Sequence, residues 1–192
     1  DLRAILAADP KNVDARIKIA QIAALQGEDR EARKGLDEVI ASSPQDASPR
    51  LALIRYLIAR KDHQTALRTA DDLLRLQPAN IEGVALRGQI QSTLGQKREA
   101  VDSFRQLVSL TPNDAQSKLI LSEALFAAGD RAGAQSAMDE AVKLNPDSAQ
   151  VKAAQIKLQM GLGNGDAAVA AAWAFQASHP GAQADILLAD TL

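Results

Sequence analysis

Residues 112–146 read PNDAQSKLILSEALFAAGDRAGAQSAMDEAVKLNP, running from one proline to the next. In the first half Leu121 and Leu125 recur one helical turn apart. In the second half Ala134, Met138, Ala141 and Val142 do the same. This is helical periodicity, not the alternation of a strand. Gly129 falls between the halves, where a helix end favours a left-handed residue. Pro112 cannot continue the helix before it and fixes the connecting turn. Asp114, two residues on, is a good N-cap: its carboxylate accepts hydrogen bonds from the free amides of the helix that follows. The stretch therefore reads as a helical hairpin with its punctuation in place.

The same punctuation recurs along the chain. Pro10, Pro44, Pro78, Pro112, Pro146 and Pro180 are each 34 residues apart, and Pro49 alone falls outside the series. Ala32, Ala66, Ala100, Ala134 and Ala168 run in phase with them, as do Asn12, Asp46, Asn80, Asp114 and Ser148. Gly27, Gly95, Gly129 and Gly163 form a fourth series, in which Lys61 takes the place of a glycine. The alanine lies early in the second helix of each hairpin, where a larger side chain would push the two helices apart. A period of 34 residues is the mark of tetratricopeptide repeats, and the chain resembles that family over essentially its whole length.

The resemblance implies an all-α fold, a right-handed α-solenoid of tetratricopeptide helical hairpins. Residues 1–192 then form a single solenoid fragment. A partial repeat covers 1–12, full repeats cover 13–46, 47–80, 81–114, 115–148 and 149–182, and another partial repeat begins at 183–192. First helices are expected near 13–26, 47–60, 81–94, 115–128 and 149–161. Second helices are expected near 30–41, 64–76, 97–109, 131–143 and 166–178. The family's small eighth place is held by Ala20, Ile54, Gly88, Ser122 and Ile156, so two repeats depart from it. Leu36, Phe104 and Met138 fill a place usually given to a large side chain, but Ala70 and Ala172 stand there too, which predicts a slim core.

Composition narrows the function. Apolar residues make up 46% of the chain, enough for burial to offset chain entropy. Net charge is −2 with the signs interspersed, and no basic face or segment is visible, which argues against nucleic acid. With no cysteine there are no disulfides or thiolate metal sites. The longest nearly apolar run, Ala167 to Phe175, is too short to span a bilayer. The chain begins at Asp1 inside helical pattern, without an initiator Met or a signal peptide, and reads as an excised piece of a longer protein.

No catalytic constellation emerges, and no cofactor is expected. His63 and His179 fall in expected turns, without the paired spacing of a metal site. Gly161-Leu162-Gly163-Asn164-Gly165 resembles a phosphate-cradling loop but sits between two helices. Asp71 and Asp72 are adjacent, so on a helix they point apart. The expected role is a non-catalytic scaffold that binds a protein or peptide.

In the family the first helices line the concave groove. The matching places here are Ile17, Gln21 and Leu25; Leu51, Arg55 and Ile58; Gln89 and Ser92; Leu119, Glu123 and Phe126; and Lys157. The mixture of apolar and isolated charged residues suits a segment with hydrophobic anchors. It lacks the Lys and Asn of the family's carboxylate clamp. Phe126 is the expected anchor, the alternative being that it packs against the neighbouring repeat. Arg16, Arg50, Lys118 and Lys152 form a basic series. It is either a ladder for acidic partners or a set of solvated heads on apolar stems. Where other first helices carry core residues (Ile19, Ala23, Leu53, Leu57, Leu121, Leu125), the third repeat has Arg87 and Gln91 and the fifth has Gln155 and Gln159. Buried unpaired polar groups are costly, so these helices are expected to rotate, turning Leu86 and Ile90, or Ile156 and Leu158, inwards; the alternative is that the polar groups bond each other or a ligand.

A narrower resemblance rests on Leu121–Ala134, on His179-Pro180-Gly181-Ala182 and on Ile186-Leu187-Leu188-Ala189-Asp190. These phrases are similar to the large repeat lipoproteins of bacterial PEP-CTERM/exosortase systems. That resemblance implies an envelope protein, anchored through a segment outside this chain and facing the periplasm, in an exopolysaccharide-related assembly. A cytoplasmic protein, a targeting arm of a larger enzyme such as a glycosyltransferase, and a self-assembling scaffold stacking end to end are the other readings.

Overall fold

The computed structural model describes residues 2–189 and residue 191; Asp1, Asp190 and Leu192, at the limits of the expected terminal half-repeats, lie outside the described residues, as do the side chains of Arg3, Gln183 and Leu187. The described residues form twelve helices and no strand. They divide into two compact units, residues 1–96 and 97–192. The division falls inside the third repeat, between its two helices.

The first unit contains α1 (Leu2–Ala8), α2 (Val13–Leu25), α3 (Asp29–Ser42), α4 (Ala47–Ala59), α5 (His63–Leu76) and α6 (Ile81–Thr93). Each helix after an expected cap starts where the cap demands. The Asn12 side chain accepts from the Ala15 amide at 3.0 Å, Asp46 from Ser48 at 2.8 Å, and Asn80 from Gly83 at 2.8 Å. Asp62 adds a cap at the start of α5 by accepting from Thr65 at 3.2 Å. The core gathers Ile17, Ala20, Leu36, Val39, Leu51, Leu53, Ile54, Leu57, Ala66, Ala70, Leu73 and Ile90.

The second unit contains α7 (Lys97–Leu110), α8 (Ala115–Ala128), α9 (Arg131–Leu144), α10 (Ala149–Leu162), α11 (Gly165–Ser178) and α12 (Ala182–Ala189). Asp114 caps α8 by accepting from the Gln116 and Ser117 amides at 3.3 and 3.0 Å. Its carboxyl is held below the usual aspartate range, chiefly by the Ser117 hydroxyl. Ser148 caps α10 and Asp130 caps α9.

The hairpin turns share one geometry. At the end of α8, Gly129 is left-handed at φ 89°, its amide donates to the Phe126 carbonyl, and the Asp130 amide donates to Leu125. This satisfies two carbonyls that the helix end leaves over. Lys61 repeats the turn at φ 61°, against the steric preference of a residue with a Cβ.

Between paired helices the alanine series is wholly buried: Ala32, Ala66, Ala100, Ala134 and Ala168 are at most 2% exposed. The eighth-place residues, from Ala20 to Ile156, are likewise buried in every repeat. In the fourth repeat the contact is polar, the Ser122 hydroxyl donating to the Ala134 carbonyl at 2.7 Å. In the third repeat Ile90, and in the fifth Ile156 and Leu158, are buried, as expected of rotated helices, while Leu86, Arg87, Gln155 and Gln159 are half-buried. Arg87 and Gln159 also find partners. Arg87 faces Asp71 at 3.9 Å. Gln159 donates to Gln135 at 2.7 Å and accepts from Asn164 at 2.8 Å. Ile19, expected in the core, is exposed on α2.

Candidate functional site

Counting each full repeat from its first residue, the expected groove residues occupy the fifth, ninth, twelfth and thirteenth places of the first helices. These places separate by burial. The fifth place is core wherever its side chain is large: Ile17, Leu51 and Leu119 are at most 9% exposed. Ile17 and Leu51 thus belong to the core of the first unit, because their length carries them into its cluster, and Leu119 belongs to a core cluster of the second unit with Ala141 and Val151. The ninth place is exposed in every repeat, at Gln21, Arg55, Gln89, Glu123 and Lys157.

In the first unit the remaining places are exposed or occupied by the chain itself. Arg55 pairs with Glu82 on the next first helix. Ile58 packs on the core. Ser92 is exposed and donates to the Gly88 carbonyl at 3.0 Å. Gln21 and Gln89 are exposed, and Leu25 is 89% exposed at the end of α2. Arg60 adds contacts between repeats, pairing with Asp29 at 2.5 Å and donating to the Ala24 carbonyl at 2.8 Å.

The second unit is different. Leu119, Glu123, Phe126 and Lys157 line one groove of about 650 Å³ between α8 and α10. Met138 and Leu158 extend its apolar surface, and Ser122, Ala149, Ala153, Ala154 and Gln150 complete it. The half-buried Phe126 ring packs as the alternative expected: it lies against Gly161 of α10, where an added Cβ would come within 2.6 Å of Cζ, and it also lines the groove. The bare glycine is what lets the ring seat there. The glycine-rich stretch 161–165 is therefore a packing site and a helix turn. Gly161 receives the ring and Gly163 is left-handed.

Burial pushes the Glu123 carboxyl above the usual glutamate range, and Lys157 opposes this only in part. Neither side chain forms a hydrogen bond or ion pair among the described residues. Gln150 explains this. The pair in the first unit joins Arg55 to Glu82, 27 residues on. The residue 27 on from Glu123 is the neutral Gln150. Sequence reasoning did not assign Gln150, Met138, Leu158 or Gly161 to the groove; for Gln150 the 27-residue offset was the available signal.

Three of the four residues of the basic series fold back on their own units. Arg16 donates to Ser42 at 3.0 Å, Arg50 donates to the Pro44 carbonyl at 2.7 Å, and Lys118 pairs with Glu140. His63 is not in a turn; it opens α5, and its Nδ1 is buried without a partner. His179 follows α11 and stacks on Phe175 with ring centroids 5.1 Å apart. Among the described residues no cluster of His, Cys, Asp and Glu suits a metal ion, and no helix is long and apolar enough to cross a membrane.

The tetratricopeptide repeat family matches residues 1–55 and 93–158, and the chain belongs to it. Cellulose synthase 2 operon protein C of Komagataeibacter xylinus is 30% identical over 156 residues, which cover 80% of this chain and 12% of that protein. The chain spans less than a quarter of the length of the curated relatives it matches. PilW, a widely conserved type IV pilus biogenesis factor, superposes with a TM-score of 0.78 at 19% identity, over 98% of this chain and 86% of its own. MamA of Desulfovibrio magneticus RS-1 does so with a TM-score of 0.74 at 20% identity, over 88% and 97%. At such identities the structures show the fold: an all-α solenoid of helical hairpins.

Proposed function

We propose that this chain is a non-catalytic scaffold that binds a segment of a partner protein in the groove between α8 and α10. Membership of the family supports protein interaction in general. The observation that carries the specific reading is the groove itself: about 650 Å³, lined by the half-buried Phe126 over the core side chains Leu119, Met138 and Leu158, and flanked by Glu123 and Lys157, which form no ion pair with each other. Such a volume suits one or two inserted side chains, and a few anchors of this kind dominate binding energy. A bacterial envelope or exopolysaccharide-related assembly is the favoured setting, supported by the relatives named as cellulose synthase operon proteins.

Selection of random 15-residue peptides displayed on phage against the 192-residue chain tests this reading. Peptides with a large apolar residue in common are expected, and Phe126→Ala is expected to weaken them about tenfold while helicity by circular dichroism is retained. Selected peptides that bind Phe126→Ala as well as the native chain overturn the assignment of the groove.

A further inference from the structure

The groove has a charge pattern, and the repeat register shows how it arises. At the ninth place of the second repeat, Arg55 is neutralised by Glu82. At the ninth place of the fourth repeat stands an acid, Glu123, and the residue in the position of Glu82 is Gln150, which lines the groove without charge. One repeat further on the ninth place is Lys157, on the other wall of the same groove. The fold therefore offers, around one apolar surface, an anionic and a cationic group that act on each other across the groove without closing into an ion pair. The partial burial of the Glu123 carboxylate is offset by Lys157 only in part. A carboxylate in that condition gains most from a cation brought by a ligand.

We propose that the occupant is a peptide segment carrying one large apolar side chain flanked by a basic and an acidic residue, seated with the apolar side chain against Leu119 and Phe126, the base at Glu123 and the acid at Lys157. This rests on the groove assignment above and adds the charge chemistry that selects the partner. A polyanionic or polycationic segment is disfavoured, because either sign repeated on both sides meets one like charge. Phe126, held against Gly161, forms the apolar wall that brings the two charged walls within reach of one short segment.

Four synthetic 15-residue peptides test the proposal. They are identical except for the two residues flanking a central leucine: lysine and glutamate, lysine twice, glutamate twice, or glutamine twice. Binding is followed by ¹H–¹⁵N NMR titration of the 192-residue chain. The lysine–glutamate peptide is expected to bind about threefold more tightly than each of the others, the scale of a partly exposed ion pair. Glu123→Gln is expected to abolish the gain from lysine alone, and Lys157→Gln the gain from glutamate alone. Both positions are exposed, so the variants keep their fold, which circular dichroism verifies. Equal affinity for all four peptides overturns the charge proposal and leaves the groove assignment standing. No binding by any of the four, with none selected from the random library, overturns both.

Discussion

The two units are built on one 34-residue template, and they treat the same surface in opposite ways. In residues 1–96 the first-helix face is largely settled by the chain itself. Ile17 and Leu51 are core, Ile58 leans on that core, and Arg55 pairs with Glu82. In residues 97–192 the fifth place, Leu119, is core as well, but it also lines a groove bordered by Phe126, Glu123 and Lys157. The change rests on few residues: a neutral Gln150 in the position of Glu82, and Gly161 where a Cβ would collide with Phe126. A repeat fold therefore keeps its backbone while single side chains decide whether a face is internally paired or available to a partner.

The largest expected effect lies at the eighth place, which is Ile54 in one unit and Ser122 in the other. Ile54→Ala is expected to lower stability by about 2–5 kcal/mol through loss of buried volume, and Ser122→Ala by about 1 kcal/mol through loss of one buried hydrogen bond. Urea titration followed by circular dichroism measures both. Fluorescence of Trp173, the chain's one tryptophan, reports the second unit separately. Equal losses at the two sites would erase this part of the contrast.

Next comes Gly161→Ala. Its Cβ displaces the Phe126 ring and is expected to weaken selected peptides about tenfold, with stability altered by about 1 kcal/mol or less. A crystal structure of the variant with Phe126 in its native position would contradict the role given to the glycine.

The turns supply a smaller test, since the turn glycines lie at φ between 74° and 89° while Lys61 adopts the same conformation with a Cβ. Lys61→Gly is expected to stabilise the first unit by about 0.5–1 kcal/mol in urea titration, as relief of strain outweighs the added chain entropy. Gly129→Ala is expected to destabilise the second unit.

Gln150→Lys is expected to convert the open face into the paired one. The new ammonium engages Glu123, draws its carboxyl pKa down, and reduces affinity for lysine-bearing peptides about threefold. NMR titration of the Glu123 side chain reads the first effect and peptide titration the second.

The smallest effect is on pH dependence. The folded-state pKa of Glu123 is raised, so the folded state holds this proton more tightly than the unfolded state. Stability from this group is therefore present below the ordinary glutamate pKa and declines as pH rises from there through the raised value. Glu123→Gln is expected to flatten that decline in melting temperature. Asp114 acts in the opposite sense. Its depressed pKa contributes stability above the ordinary aspartate range, lost as pH falls through the folded value.

Much of the architecture was legible because its determinants are local. A proline stops a helix, an Asn, Asp or Ser two residues later caps the next, and a glycine turns the hairpin; each acts within a few residues of itself, so a period of 34 was enough to locate them. The partners of the polar first-helix residues were hidden for the opposite reason. Whether Gln159 is tolerated inward depends on Gln135, 24 residues away, and whether Arg87 is tolerated depends on Asp71. The basic series was ambiguous until Ser42 and the Pro44 carbonyl appeared beside its arginines.

By itself, then, the sequence determined the helices, their caps and turns, the buried alanine seam and the face on which a partner is expected. Only the tertiary structure decided which stretch of that face is a groove. Periodicity reports which way a side chain points, but not which charge, ring or bare Cα meets it from the neighbouring helix. Glu123 shares a groove with Gln150 and Phe126 lies on Gly161; both are arrangements between repeats, and no local rule encodes them.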